Sequence, residues 1–399
     1  MIEFKQFNFS HGLAESIEKL GFENPTQIQE RSIPPIMEER DVLGESATGS
    51  GKTLAFGCGI IEKTIPGKGL QALVLTPTRE LAEQVKDAIC QLASNKHLKI
   101  ISVYGGVSIG PQIESLRKAE VVIATPGRFK DHLERRTIDT SRISIFVLDE
   151  ADRMLDMGFI DDIEIIIRSC PNRKQTLFFS ATIPPRIETL SQRYLHNPVK
   201  VSARKQVDPE KLKQVYYDVP RNLKFSLLVH LLKNEDSGLV MVFCNTRRST
   251  EAVIKNLRAN GIDAVEIHGG LTQNKRTRAI EQFKRSKKGV LVCTDVAARG
   301  LHIDGISHIY NYDIAGNPID YVHRIGRTAR AGEQGKVINL LCDYDHDNFT
   351  RVLSEYRSFS IENVQMPYIE RIMIRRNSSP RRMMGRTGPR RGFYHKTRR

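Results

Sequence analysis

The sequence predicts two tandem α/β domains built on parallel sheets, followed by a basic C-terminal tail expected to be disordered. Three observations carry this. Short apolar runs of strand length alternate with helical patterns, and each run passes into a polar turn marked by glycine or proline. Near residue 200 the alternation breaks in the polar stretch Val201–Lys211 and then restarts. From Arg371 to Arg399 there are ten Arg and one Lys and no acid, which is 11 of the net +15 charges.

In the first half, strands are expected at Asp41–Leu43, Ala72–Leu75, Ile100–Val103, Val121–Ala124, Ile145–Leu148 and Thr176–Phe179. In the second half they are expected at Val215–Val219, Leu239–Phe243, Ala264–Ile267, Val290–Cys293, His308–Asn311 and Val337–Leu341. Helical patterns over Arg247–Asn260 and Gln273–Lys284 end near glycine or a basic turn. The domains are placed at 1–203 and 213–365, joined by a linker at 204–212, with the tail at 366–399. The two halves share architecture without an obvious sequence repeat.

Composition excludes several classes. Hydrophobic residues make up 40% and charged residues 27%, a globular balance. No apolar run approaches the length of a membrane span, so no membrane partner is expected. The N-terminus has no basic segment leading into an apolar core, so no secretory signal is expected. Six scattered cysteines without zinc-ligand or CxxC spacing fit free thiols in a reducing compartment, and a cytoplasmic location follows. The positive charge favours a polyanionic partner.

Two motifs carry the chemistry. Ser46–Thr53 follows a strand and opens a helix, so its backbone N–H groups and helix N-terminus can cradle phosphate. Thr48, Gly49, Ser50 and Gly51 form the cradle, Lys52 reaches the β- and γ-phosphates, and Thr53 is placed to hold Mg²⁺. Ser46 stands where the strict pattern has glycine. About ninety residues on, the buried run Phe146–Leu148 delivers Asp149, Glu150 and Asp152 at a strand's C-terminal end, where open α/β sheets bind ligands. Asp149 is placed to bind Mg²⁺, and Glu150 to orient and deprotonate an attacking water. Loop and acids together are a minimal kit for NTP hydrolysis.

With these residues in view, the sequence over roughly 4–345 resembles the DEAD-box RNA helicases of helicase superfamily 2. The resemblance implies RecA-like domains, ATP with Mg²⁺, and RNA as partner. Gly21–Gln29 is similar to the family's Q motif, which implies that Gln29 reads the adenine edge, that Phe22 stacks on the base, and that Phe4 is the upstream aromatic. An amide donates and accepts at once, which suits adenine.

Pro77, Thr78 and Arg79, then Gly105 and Gly106, then Thr125, Gly127 and Arg128 resemble the RNA-backbone elements of the first domain. Arg247, Gln273, Arg276 and Thr294 match those of the second. Ser180 and Thr182 resemble the motif that couples hydrolysis to strand separation, together with Asp152 and His323. In His323–Arg330, Arg327 and Arg330 match the arginine fingers, each of a kind worth about 10³–10⁵ in rate.

Two positions depart from the family. Ala329 replaces a glycine, and a modest backbone change is expected. His302 stands where many members carry an Asp that touches the ribose, and no ribose contact is assigned to it.

The resemblance implies an ATP-dependent RNA helicase, a monomer that unwinds short duplexes locally and without processivity, or remodels RNA–protein complexes. Backbone contacts imply little sequence preference, and 2′-OH contacts would discriminate RNA from DNA. Protein partners in RNA decay or ribosome assembly fit such an enzyme. Two alternatives stay open: an ATP-gated RNA clamp that rarely unwinds, and a DNA helicase of the same superfamily. The tail is expected to tether RNA by phosphate neutralisation and stacking, against a merely solubilising role.

Overall fold

The computed structural model describes residues 3–46, 49–203, 212–286, 288–298, 301, 303, 305–329 and 335–373. The first domain carries β1 (Val42–Ser46), β2 (Ala72–Leu75), β3 (Ile100–Val103), β4 (Val121–Ala124), β5 (Ile145–Asp149), β6 (Gln175–Ser180) and β7 (Val199–Ala203). They form one parallel sheet in the order β3-β4-β2-β5-β6-β1-β7. β1, β2, β4, β5 and β6 are buried at every residue, because helices cover both faces of a parallel sheet. Two apolar clusters, one holding Val74 and Val147 and the other Leu73 and Phe146, form the cores on its opposite faces. Gly44 lets β1 lie against the Phe179 ring, which packs on Phe56 with centroids 5.7 Å apart. Burying such a ring stabilises by about 2–3 kcal/mol and fixes the strand that carries the phosphate loop.

The second domain carries β8 (Leu212–Asp218), β9 (Leu239–Phe243), β10 (Ala264–Ile267), β11 (Gly289–Cys293), β12 (Ile306–Asn311), β13 (Gly335–Leu341) and β14 (Ile361–Asn363). Their order, β10-β11-β9-β12-β13-β8-β14, repeats that of the first sheet strand for strand. Both halves of the chain are therefore one design used twice.

Three boundaries differ from the sequence expectation. Val201–Ala203, expected to begin the polar break, belongs to β7 and pairs with β1. Leu212, assigned to the linker, opens β8; residues 204–211 lie outside the described residues. The tail was expected from residue 366, yet Val364, Met366, Ile369 and Ile372 pack on the second core. The Ile372 N–H also donates to Ser226 Oγ at 2.9 Å. These apolar residues are spaced among charges and carry no regular period, so the sequence pattern hid their burial.

Candidate active site and nucleic-acid interface

Each sheet divides into two halves at the C-terminal ends of its strands. On the β1-β6-β5 side lie the phosphate loop and the acids. On the β2-β4-β3 side lie the elements expected to meet nucleic acid.

The phosphate loop leaves β1 and enters helix Lys52–Lys63. Gly49 and Gly51 have φ of 84° and 90°, values that L side chains rarely adopt. Gly51 is doubly required, since a β-carbon there would overlap the Gln29 amide. Lys52 is buried, and its Nζ donates to the Ser46 carbonyl at 3.2 Å. The hydroxyl of Ser50 donates to that of Ser46 at 2.9 Å, so the serine in the glycine position ties the loop across its base. Thr53 follows Lys52 in the first turn. Thr48 lies outside the described residues.

Helix Gln27–Met37 braces this loop. Thr26 Oγ1 donates to the Ser50 carbonyl at 2.7 Å, and Gln29 Nε2 donates to the Gly51 carbonyl at 3.0 Å. Gln29 Oε1 accepts from the Thr26 N–H at 2.8 Å. One amide proton and one lone pair of Gln29 stay uncommitted in these bonds, the complement an adenine edge needs. Phe4 is buried and Phe22 exposed, with ring centroids 6.4 Å apart.

Asp149 ends β5 and is buried, and its Oδ1 has no hydrogen-bond partner among the described residues. Burial, opposed by the Lys52 charge, pushes its carboxyl up to about 6, and Glu150 and Asp152 add to the push. A buried carboxylate oxygen without a donor, beside the phosphate loop, fits a hard divalent cation. Glu150 has φ of 57°, a left-handed turn that swings the chain from strand into helix Ala151–Asp156. The N–H and Oγ1 of Thr182 donate to Asp152 Oδ2 at 2.9 and 3.0 Å, while the Asp152 N–H donates to Ser180 Oγ. Asp152, Ser180 and Thr182 are thus one bonded unit.

In the second domain, helix Pro318–Ile325 carries His323 and Arg324, and Arg327 follows it. Arg327 is buried and its Nη1 donates to the Leu301 carbonyl at 2.7 Å. Arg330 lies outside the described residues. Ala329 has φ of 54°, a left-handed conformation that few residues other than glycine adopt. Sequence reasoning passed over Arg324, which is buried and grips Asp295 with two bonds of 2.6 and 2.7 Å. It also donates to Asn245 Oδ1 and Asn311 Oδ1. One guanidinium thereby ties together the turns after β9, β11 and β12.

On the other half, Pro77, Thr78 and Arg79 follow β2, Gly105 and Gly106 follow β3, and Thr125, Gly127 and Arg128 follow β4. Thr78 caps helix Arg79–Leu92 by accepting from the Leu81 N–H, and the Arg79 guanidinium lies across Gly106. Both Arg128 Nη atoms donate to the Val107 carbonyl. In the second sheet Thr246 caps helix Arg247–Ala259, Arg247 lies across Gly270, and Thr294 follows β11. Gln273 and Arg276, expected on the RNA surface, also reach the first domain. Gln273 Nε2 and Arg276 Nη2 each stand 3.1 Å from Glu80 Oε1. Glu80 is buried in this contact and was not singled out from sequence.

The comparisons with known proteins agree with this geometry. The model for "DEAD/DEAH box helicase" matches residues 26–190, and that for "Helicase conserved C-terminal domain" matches residues 223–332. The chain is 42% identical to the ATP-dependent RNA helicase CshA of Listeria monocytogenes over 92% of this chain and 71% of that one. It is 44% identical to the DEAD-box ATP-dependent RNA helicase CshA of Bacillus subtilis, over 85% and 69%. S. cerevisiae Dbp5 bound to RNA and ADP BeF3 superposes with a TM-score of 0.83 at 28% identity, covering 91% of this chain and 96% of that one. A DEAD box protein from Methanococcus jannaschii is 38% identical but superposes at only 0.55, covering 91% and 99%. With both halves of the family's machinery matched in order across the chain, this protein belongs to the DEAD-box helicases of superfamily 2.

Proposed function

We propose that this ATP-dependent RNA helicase uses closure of its two domains, driven by ATP and RNA together, to separate short RNA duplexes locally. The observation that carries the reading is the contact of Glu80 with Gln273 and Arg276. It joins the nucleic-acid halves of both sheets.

Asp149 and Thr53 would hold Mg²⁺, which neutralises charge on the β- and γ-phosphate oxygens. Lys52 exchanges the Ser46 carbonyl for phosphate oxygen. Glu150 orients and deprotonates the attacking water, and Arg327 and Arg330 stabilise the transferring phosphoryl. Gln29, Phe4 and Phe22 receive the adenine. Arg79, Gly106, Thr125, Arg128, Arg247 and Thr294 grip the sugar–phosphate backbone, so sequence preference is low. A strand bent across both domains cannot remain in a duplex, and reopening after hydrolysis releases it. Partners in RNA decay or ribosome assembly belong to the same reading.

The test pairs two assays. RNA, and not DNA of the same sequence, should stimulate ATP hydrolysis, and unwinding should fall steeply with duplex length. Equal stimulation by DNA, or unwinding independent of length, would overturn the proposal.

A further inference from the structure

Arg153 stands one turn beyond Glu150 on helix Ala151–Asp156 and is 1% exposed. Its Nη1 lies 3.1 Å from Glu150 Oε2, an ion pair without the alignment of a hydrogen bond. Neither Nη1 nor Nη2 has a hydrogen-bond acceptor among the described residues. A buried guanidinium so placed is costly, and it persists only where surrounding charge compensates it. Glu150 supplies one such charge, and the other domain brings further carboxylates close. Arg153 lines a cavity of about 10 Å³, space for one water, whose remaining wall includes Asp295, Asp320, His323, Arg324 and Arg327. Asp295 is held by both prongs of Arg324, and Asp320 is a second carboxylate at this wall. The catalytic candidate Glu150 and helix Pro318–Ile325, which leads into Arg327, therefore meet across one side chain.

We propose that Arg153 is a positioning residue for Glu150. Its guanidinium is held between Glu150 and the cavity wall supplied by the second domain, so the carboxylate is aimed at the water only when that wall is seated. With the domains apart, the wall is gone, Arg153 is hydrated, and the pair is free to swing. This inference rests on the proposed water-activating role of Glu150.

The experiment is a double-mutant cycle on the full chain, read as single-turnover ATP hydrolysis at saturating RNA. Arg153→Gln should lower the rate by about 10–100-fold, the scale of a misaimed catalytic group, with the KM for ATP within about threefold of wild type. In a Glu150→Gln background the same substitution should cost no more than about twofold, because the carboxylate it aims is already gone. Arg153→Lys, which keeps the charge but not the fork, should recover most of the loss.

An equal loss in both backgrounds would make Arg153 a structural residue and overturn the inference. So would a wild-type rate for Arg153→Gln. If Glu150→Gln alone turns over at the wild-type rate, the assignment of Glu150 falls instead, and the two failures are told apart. Should Arg153→Gln not fold, Arg153→Met, which keeps an unbranched stem and removes the charge, runs the same cycle against Glu150→Gln.

Discussion

The guanidinium of Arg247 occupies the space that a side chain on Gly270 would fill, and Arg79 stands to Gly106 in the same way. Each arginine opens a helix capped by a threonine, and each glycine lies in the turn after the edge strand of its sheet, β3 or β10. Gly270→Ala should therefore displace Arg247 and remove one phosphate contact. The slope of log RNA affinity against log salt should flatten by about 0.7 on single strands, with the KM for ATP unchanged. An RNA titration across a salt series reads this directly.

Gln29→Ala should weaken ATP more than GTP or UTP, because the amide's remaining donor and acceptor select adenine. All nucleotides should also lose some affinity, since the bond from Gln29 to the Gly51 carbonyl braces the phosphate loop. Competition binding with the four nucleotides checks both parts.

Asp149 links stability to pH. Its folded carboxyl is raised to about 6 from an ordinary 3.8, so folding disfavours its charged form. The penalty is absent below the unfolded value, grows between about 3.8 and 6, and is constant above. Asp149→Asn should raise the stability of the nucleotide-free protein at pH 7.5 by up to about 3 kcal/mol, and the gain should shrink as the pH falls through 6. Denaturant melts of both proteins across pH 5 to 8 test it, and hydrolysis by the variant should be lost.

Ala329 holds φ of 54° without being glycine. The left-handed turn costs an L residue about 1–2 kcal/mol, and glycine returns part of that as unfolded-state entropy. Ala329→Gly should stabilise the second domain by about 0.5–1 kcal/mol, seen as a higher melting midpoint.

The chain packs on the second core as far as Ile372 among the described residues. Residues 374–399 contain nine Arg, one Lys and no acid. Deleting them should leave RNA-saturated ATP hydrolysis near wild type while raising the RNA concentration for half-stimulation and flattening the salt slope. Deleting from Val364 should in addition destabilise the second domain, because Val364, Met366, Ile369 and Ile372 pack on its core. An unchanged salt slope on removing 374–399 would leave the tail a solubilising role.

The central strands were legible because their apolar runs are continuous and bounded by turns. The edge strands β7 and β14 were not. β14 has only three residues, and β7 alternates exposed lysine and serine with buried residues. The motif residues were legible by resemblance, each in family order. Glu80, Arg153 and Arg324 escaped because their importance lies in what they meet. Glu80 finds Gln273 from 193 residues away, and no local period encodes such a pairing.

The repeated strand order has a mechanical consequence. β5 and β2, the last strand of the nucleotide half and the first of the nucleic-acid half, are hydrogen-bonded neighbours in each register. Neither half can tilt relative to the other without breaking that ladder, so each domain moves as a stiff jaw. Compliance is then left to the seam between the jaws, and a compound wedged there should stall fuel use and strand gripping in a single stroke.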